Sequence, residues 1–289
     1  MDTTLLQLAL SGIAFGCIYC LVAIEFSLIF NASGLVNFGH DKFIMLGAYV
    51  FGGTMLNQLG LNYFIAFILA SIIMGLFGAA VAAGIFNPLR NMSSDVYALV
   101  GTVMLAKIMS ELARIIWGPV PFRVEGFLTG NLEIGELTLP KVYIYIIIAS
   151  VLFLILQNIL FNKTKLGRAM RCVSQDKIAS ALMGINVASN IMITVAFSSI
   201  LCGFIAILII PIFNVEISMA NMIGLKGFAA SVVGGFGTMS GAIAGGVFIG
   251  LVENLYVMFG PSIYKDVVAF VLMILFLLIR PQGIVRRRT

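Results

Sequence analysis

The sequence predicts an all-α protein that crosses a membrane several times as a bundle of helices. Of its 289 residues, 61% are hydrophobic and only 10% are charged, whereas water-soluble domains carry about 25% charged residues. The apolar residues stand in long continuous runs, which favours helices because a helix satisfies its own backbone hydrogen bonds in lipid. The chain's roughly 176 apolar residues suffice for about eight spans of about 20 residues each. This composition excludes soluble enzymes, nucleic-acid-binding proteins and secreted disulfide-rich domains.

Nine apolar segments follow one another, and we expect eight or nine of them to be membrane spans of a single transmembrane domain, residues 1–289. Two segments are short or interrupted by glycine, and we expect broken or re-entrant helices there. The first segment is not preceded by the basic residues of a signal peptide, so an uncleaved span is expected. The segments are 5–30, 43–58, 62–86, 95–117, 141–161, 189–213, 218–235, 240–259 and 265–280, and the two short ones are 43–58 and 218–235.

The distribution of lysine and arginine predicts which loops face the cytoplasm. Basic residues are concentrated in segment 162–188, after the third span and at the C-terminus, whereas segment 118–140 is rich in glutamate and is expected outside. With nine crossings the N-terminus lies outside and the C-terminus lies in the cytoplasm. The residues behind this assignment are Arg90, Lys163, Lys165, Arg168, Arg171, Lys177, Arg286, Arg287 and Arg288 on one side, and Glu125, Glu133 and Glu136, with Arg123, on the other.

Segment 162–188 is too polar to be a span, and its composition predicts a surface helix. Alanine, leucine and methionine favour a helix over 168–183, and Gly184 suits the left-handed residue that ends it. Small and apolar positions at Ala169, Cys172, Ala179 and Leu182 can share one side of this helix. Such a helix can dock into a groove of another protein. On physical grounds alone, a basic loop that only fixes the topology is an equally good interpretation.

Four stretches of the chain carry motifs that occur together, in this order, in one known family. They are Asn37-Phe38-Gly39-His40 with Gly47-Ala48-Tyr49; Leu166-Gly167-Arg168-Ala169-Met170-Arg171 with Asp176, Ala179 and Gly184-Ile185; Gly224-Leu225-Lys226-Gly227-Phe228-Ala229-Ala230 with Gly234-Gly235-Phe236-Gly237 and Gly241-Ala242; and Tyr264-Lys265-Asp266-Val267-Val268-Ala269-Phe270 with Arg280-Pro281-Gln282-Gly283-Ile284. The chain resembles the permeases of ABC importers of the branched-chain amino acid type, and most closely the LivH-type subunit.

The resemblance implies a permease in the bacterial inner membrane that is not an enzyme and binds no cofactor itself. The implied partners are a second, homologous permease, two cytoplasmic ATPase subunits that hold ATP and Mg, an external substrate-binding protein and membrane lipid, but no nucleic acid. A branched-chain or similar small amino acid is the expected substrate, with urea, short amides and small carboxylates left open. The implied ATPase-coupling residues are Leu166, Gly167, Arg168, Ala169, Arg171, Asp176, Ala179 and Gly184.

Glycines recur at intervals of four in the segment 240–259 and just before it. Gly237, Gly241 and Gly245 form one such series, and Gly246 and Gly250 repeat the spacing. Glycines at this spacing form a smooth groove in which a second helix can pack closely. The glycine-rich run lacks the Lys-Ser/Thr ending of a phosphate-binding loop, so the chain is not expected to bind ATP by that motif. Energy must then come from a partner ATPase, an ion gradient or the substrate's own gradient.

Charged residues within the apolar segments are candidates for a polar pathway, since each must face protein or water. Lys107 and Glu111 can pair across one helical turn, with Arg114 close by, and a structural role or a partner-facing role is favoured for them. The pathway candidates are Glu25, Asn37 and His40. For Glu25 a structural role is an equally good interpretation, and the pair Asn37 and His40 also suits a structural cap.

The sequence predicts no metal site and no catalytic triad. The CxxC pair Cys17 and Cys20 lies in an apolar run without a second pair of ligands, so packing is the expected role. His40 is the sole histidine. Three rival functions remain open, namely an ion-coupled secondary transporter using Glu25 or His40, an integral-membrane enzyme, and a purely structural membrane subunit.

Overall fold

The structure is a computed structural model and describes residues 2–89, 95–124, 126–128, 130–134, 137–280 and 282–285. Twelve α-helices lie within these residues. They are α1 (Asp2–Ser33), α2 (His40–Ala48), α3 (Tyr63–Val81), α4 (Asn87–Leu89), α5 (Asp95–Trp117), α6 (Lys141–Lys163), α7 (Lys165–Gln175), α8 (Lys177–Leu182), α9 (Val187–Ile209), α10 (Asn221–Gly234), α11 (Met239–Tyr256) and α12 (Lys265–Ile279). Predictions that rest on Arg90, Glu125, Glu136 and Arg286 to Arg288 lie outside the described residues.

The prediction of a polytopic helical membrane protein is confirmed. Among the described residues, seven helical stretches are long and apolar enough to cross a membrane. The two segments predicted to be short, 43–58 and 218–235, are the two of the nine that contribute no such stretch. The first of them continues α2 as a π-helix over Tyr49–Gln58, and the second holds only the 14-residue α10. The seven stretches are Leu5–Ser33, Tyr63–Leu89, Val96–Trp117, Lys141–Lys163, Val187–Ile209, Met239–Tyr256 and Ser262–Ile279.

The helices form two compact units, each assembled from separate parts of the chain. Unit 1 consists of Met1–Ser27, Gly126–Leu154 and Met222–Thr289. Unit 2 consists of Leu28–Glu125 and Ile155–Asn221. Because each unit draws on distant segments, its packing depends on contacts that no local sequence window contains.

In unit 1, the glycines of α11 allow two neighbouring helices to approach its backbone. A side chain at Gly245 would collide with the backbone of α10 at Ala230 and Gly234, and one at Gly250 would collide with Gly16 of α1. Close backbone approach of this kind is typical of helices packed within a membrane, because van der Waals contact replaces the hydrophobic effect there. The glycine series therefore has two faces, one toward α10 and one toward α1.

The position of Gly237 differs from the predicted one. The spacing places it on the same helix face as Gly241 and Gly245, but α11 begins only at Met239. Gly237 has a φ of +85°, a left-handed conformation that suits glycine, and lies in the turn between α10 and α11. Its amide donates to the hydroxyl of Ser27 at 3.3 Å. Gly241 does face α10, close to the carbonyl of Gly234.

In unit 2, aromatic residues fix the end of α5 against the π-helical extension of α2. The Tyr49 ring lies 5.3 Å from that of Trp117 and 5.8 Å from that of Phe122. The Trp117 indole donates to the Thr54 hydroxyl at 2.9 Å. Phe122 also forms an antiparallel bridge with Val215. These contacts hold together the π-helical extension of α2, the end of α5 and the segment that follows α9.

The segment between α5 and α6, for which the sequence predicts no membrane span, holds a short β-hairpin. Strand β1 (Asn131–Ile134) pairs antiparallel with β2 (Leu137–Pro140), with Leu132 opposite Leu139. The hairpin lies outside the apolar runs, where water can satisfy its strand edges. The constraint that excludes open strands from lipid therefore does not apply to it.

Candidate functional sites

The polar segment between α6 and α9 folds as two short helices, not as the single helix predicted over 168–183. The chain is extended at Asp176, with φ −150° and ψ 113°, between α7 and α8. The Asp176 carboxylate accepts hydrogen bonds from the amides of Ile178 and Ala179 at 2.8 and 2.9 Å. It therefore caps α8 and satisfies two of the amides that a helix leaves unpaired at its start. Residue Gly184 ends the segment with a φ of +83°.

Several contacts fasten this two-helix segment to the rest of unit 2. Gly167 lies directly on the backbone of Leu160 and Phe161, where a Cβ atom would not fit. Met170, Val173 and Ser180 are buried. On the far side, the Lys177 ammonium donates to the carbonyl of Ser33, at the end of α1, at 2.7 Å. The segment therefore cannot shift without moving the helix ends it touches.

The opposite side of the segment is exposed and unusually apolar for a loop between spans. Ile178, Leu182 and Met183 are 77%, 84% and 83% exposed. Arg168 and Arg171 are exposed on the preceding helix, and Arg171 donates to the side chain of Asn162 at 3.1 Å. Of the other residues singled out by sequence, Leu166, Cys172, Ala179 and Gly184 are exposed and Ala169 is half-buried. Exposed apolar side chains with a basic rim are typical of a protein-docking surface.

The cap at Asp176 yields a first prediction. Replacing Asp176 by Ala should cost α8 about 1 kcal/mol, because two helix-start amides lose their acceptor. Replacing it by Asn should cost little, since an asparagine side chain caps as well as aspartate does. Limited proteolysis of the purified protein measures the difference, with faster cleavage near residues 176–183 expected in D176A alone. Equal cleavage rates in both variants would contradict the capping role.

All three pathway candidates are buried. Glu25 is a buried residue of α1 in unit 1. Asn37 and His40 lie together in unit 2 and are both buried. The Asn37 side chain accepts from the amide of Gly39 at 3.0 Å, immediately before α2 begins. Asn37 therefore shapes the turn that starts α2, and His40 is the first residue of that helix.

One face of α5 carries the charged residues that the sequence places inside a span. The Arg114 guanidinium donates to both carboxylate oxygens of Glu111, at 3.2 and 3.1 Å. Glu111 therefore pairs with Arg114 and not with Lys107, the partner that the sequence predicts. Lys107, Ser110, Glu111 and Arg114 line a pocket of about 810 Å³ that lies wholly within unit 2. The pocket also holds Phe38, Asp41, Lys42, Val103, Ala106, Pro119, Pro121, Glu216, Ile217, Ser218 and Asn221.

In unit 1, a buried cluster of charges joins three helices, and sequence reasoning did not find it. The ammonium of Lys226 lies 2.5 Å from a carboxylate oxygen of Glu253 and 2.7 Å from one of Asp266. Lys226 and Glu253 are buried, while the Asp266 side chain is 34% exposed. The Tyr19 hydroxyl donates to the second oxygen of Glu253 at 3.1 Å. Lys226 of α10 thus pairs with two carboxylates, one from α11 and one from α12, beside α1, and the ammonium of Lys265 lies 3.9 Å from the same oxygen of Glu253.

Comparison with known proteins shows similarity along almost the whole chain. Residues 8–277 match the family described as branched-chain amino acid transport system, permease component. The high-affinity branched-chain amino acid transport system permease protein BraD of Pseudomonas aeruginosa is 30% identical over 98% of this chain and 96% of its own length. LivH of Escherichia coli K12 is 27% identical over the same shares. A solved structure of PsaBC from Streptococcus pneumoniae in complex with Fab covers 97% of this chain and 92% of its own, with a TM-score of 0.47 and 16% identity, a likeness too weak to bear on function.

Proposed function

The chain belongs to the family of permease components of branched-chain amino acid transport systems, and we propose that it is the LivH-type permease subunit of an ABC importer. The substrate is a branched-chain or similar small amino acid, as the names of its relatives indicate. Two cytoplasmic ATPase subunits supply the energy, a second, homologous permease completes the pathway, and an external binding protein delivers the substrate. The protein lies in the bacterial inner membrane with its C-terminus in the cytoplasm.

The exposed two-helix segment formed by α7 and α8 is the observation that carries this proposal. It combines exposed apolar side chains at Ile178, Leu182 and Met183 with exposed basic residues, in a segment whose positive charge favours the cytoplasmic side. Exposing several apolar side chains to water is unfavourable, so we expect a partner protein to cover this surface. A cleft on an ATPase subunit is the partner that the family membership supports.

The contacts beneath the segment explain how a movement of the ATPase would reach the membrane helices. Gly167 fixes α7 on the end of α6, and Lys177 fixes the start of α8 to the last residues of α1. Because these contacts are tight, a displacement of α7 and α8 is passed to both helices instead of being absorbed by a flexible loop. We propose that ATP-driven closure of the two ATPases moves the segment in this way and alternates the access of the pathway.

The energy source distinguishes this proposal from the ion-coupled transporter. In an ABC importer, uptake requires ATP and survives a moderate loss of the proton gradient. In a secondary transporter, an uncoupler abolishes uptake while ATP depletion does not. Uptake of radiolabelled leucine by cells with and without this chain, under each treatment, separates the two mechanisms directly.

Charge reversal on α7 tests the coupling segment itself. The double variant Arg168→Glu and Arg171→Glu should lower transport at least about tenfold, because two exposed cations that face the partner become anions. The chain should still insert into the membrane, since neither side chain is buried. ATP-driven uptake is measured together with the amount of the chain in the membrane.

A matched variant is Arg123→Glu, which reverses an exposed charge in the loop that follows α5. This loop is expected on the opposite side of the membrane, so the variant should transport normally. Normal transport in the Arg168 and Arg171 double variant would remove the assignment of α7 and α8 as the coupling segment.

A further inference from the structure

The pocket beside α5 extends along the outer half of a predicted membrane span and beyond its end. Lys107 lies near the middle of the span Val96–Trp117, and the pocket-lining face runs from Val103 to Arg114, about 16 Å along the helix axis. A charged side chain at this depth is costly in hydrocarbon and has to face protein or water. Lys107 and Arg114 are exposed, so the face that they share is open to the pocket instead of being closed by packing.

The charges around the pocket are balanced. Three acidic residues, Asp41, Glu111 and Glu216, stand against three basic ones, Lys42, Lys107 and Arg114. A wall with no net charge but with both signs present disfavours a net anion or a net cation. It favours a molecule that is neutral overall and carries separated positive and negative groups.

Most of these charges are already engaged with one another. Asp41 lies 3.0 Å from Lys42, whose ammonium also donates to the side chain of Asn221 and the carbonyl of Ile217. Glu111 is held by Arg114. Among the residues that the structure describes, no ion pair forms to Lys107 or to Glu216, which accepts a hydrogen bond from Ser218 at 2.6 Å. Lys107 and Glu216 are therefore the cation and the anion left for a ligand.

Besides the charged residues and three polar ones, the wall of the pocket carries apolar side chains. They are Phe38, Val103, Ala106 and Ile217, with the two prolines that follow α5. A pocket with one available cation, one available anion and an apolar part of its wall matches the three parts of an aliphatic amino acid. We propose that this pocket is a binding site of the permease for a zwitterionic aliphatic amino acid, with Lys107 binding the carboxylate and Glu216 the ammonium group. The assignment rests on the proposed function and adds the place of binding to it.

A cysteine at position 107 tests this site. The exposed Cys172 lies on the coupling segment, so the uptake of radiolabelled L-leucine by a Cys172→Ser chain is measured first as the reference. In that background, Lys107→Cys should lower the chain-dependent uptake at least about tenfold relative to the reference, because the carboxylate loses its charged partner. Spheroplasts that keep the chain with its own partners are treated with an aminoethyl methanethiosulfonate. The reagent adds an aminoethyl group to the thiol through a disulfide and releases methanesulfinate, which restores a cation. Uptake should recover, and L-leucine should slow the modification several-fold.

Ile108→Cys is the matched control, because Ile108 neighbours Lys107, is 56% exposed and does not line the pocket. We expect normal uptake and no protection by leucine there. Unchanged uptake in the Lys107→Cys variant, or modification that leucine does not slow, would overturn the site. A thiol at 107 that stays unmodified would also overturn it, since a partner subunit would then cover this face. Failure of the proposed function is recognised separately, because deletion of the chain would then leave ATP-dependent leucine uptake unchanged.

Discussion

Replacing Lys226 by Met is expected to destabilise the protein by about 3–5 kcal/mol, because it removes the cation from a buried ion cluster. The Glu253 carboxylate would then lie buried beside Asp266 without the ammonium that now sits 2.5 Å from it. The two carboxylates would repel each other, and that of Glu253, whose side chain is 2% exposed, has no access to water. Thermal unfolding of the purified protein in detergent, or the fraction that remains monodisperse on heating, measures the loss.

The double variant Lys226→Met and Glu253→Gln is the control for this prediction. It removes both members of the buried pair, and a glutamine oxygen can still accept the hydrogen bond that Tyr19 donates. Most of the lost stability should return, because replacing a whole buried ion pair costs far less than removing one member. If Lys226→Met is as stable as the unchanged protein, or if the double variant is no better than the single one, the cluster does not stabilise unit 1 as described.

Replacing Leu182 and Met183 by Asp should separate the permease from its ATPases. These side chains are 84% and 83% exposed, so their loss should not disturb the fold. If they enter a cleft on the ATPase, each should contribute about 2 kcal/mol to binding, equivalent to about thirtyfold in affinity. The amount of ATPase retained on the affinity-purified chain, and leucine uptake by the same cells, should both fall at least that far.

Val120→Asp provides the comparison, because Val120 is 73% exposed and lies in the loop after α5, on the side expected to face outward. The same chemical change there should leave ATPase binding and uptake intact. Retention of the ATPases by the Leu182 and Met183 variant would show that α8 is not the docking surface. The segment would then be a basic loop that only fixes the membrane topology, which is the alternative interpretation of its sequence.

The helical segments could be predicted closely because hydropathy determines them directly. The predicted segment 141–161 corresponds to Lys141–Lys163, and 189–213 corresponds to Val187–Ile209. The hairpin over 131–140 was missed, although Asn131-Leu132-Glu133-Ile134 alternates polar and apolar residues as a strand does. The break at Asp176 was missed because helix-forming residues flank it on both sides. An aspartate followed by a new apolar series is a helix-start signal that could have located it.

The charged clusters depend on tertiary packing and could not be derived in the same way. Lys226, Glu253 and Asp266 lie in three consecutive apolar segments, and only the packing of α10, α11 and α12 brings them together. The available signal was the presence of Lys226 and Glu253 as the sole charges of two neighbouring apolar segments, followed by Asp266 near the start of the third. In α5, helical spacing allows Glu111 to reach either Lys107 or Arg114, and the structure selects Arg114.

The most direct test of the proposed function is to identify every protein that co-purifies with this chain from its native membrane in mild detergent. A permease subunit of an ABC importer should purify as a stable complex with a second, homologous permease and two ATPase subunits in fixed proportion. A chain that purifies alone, or only with copies of itself, would contradict it. An ion-coupled transporter would then be the leading explanation, and Glu25 would be the first residue to replace.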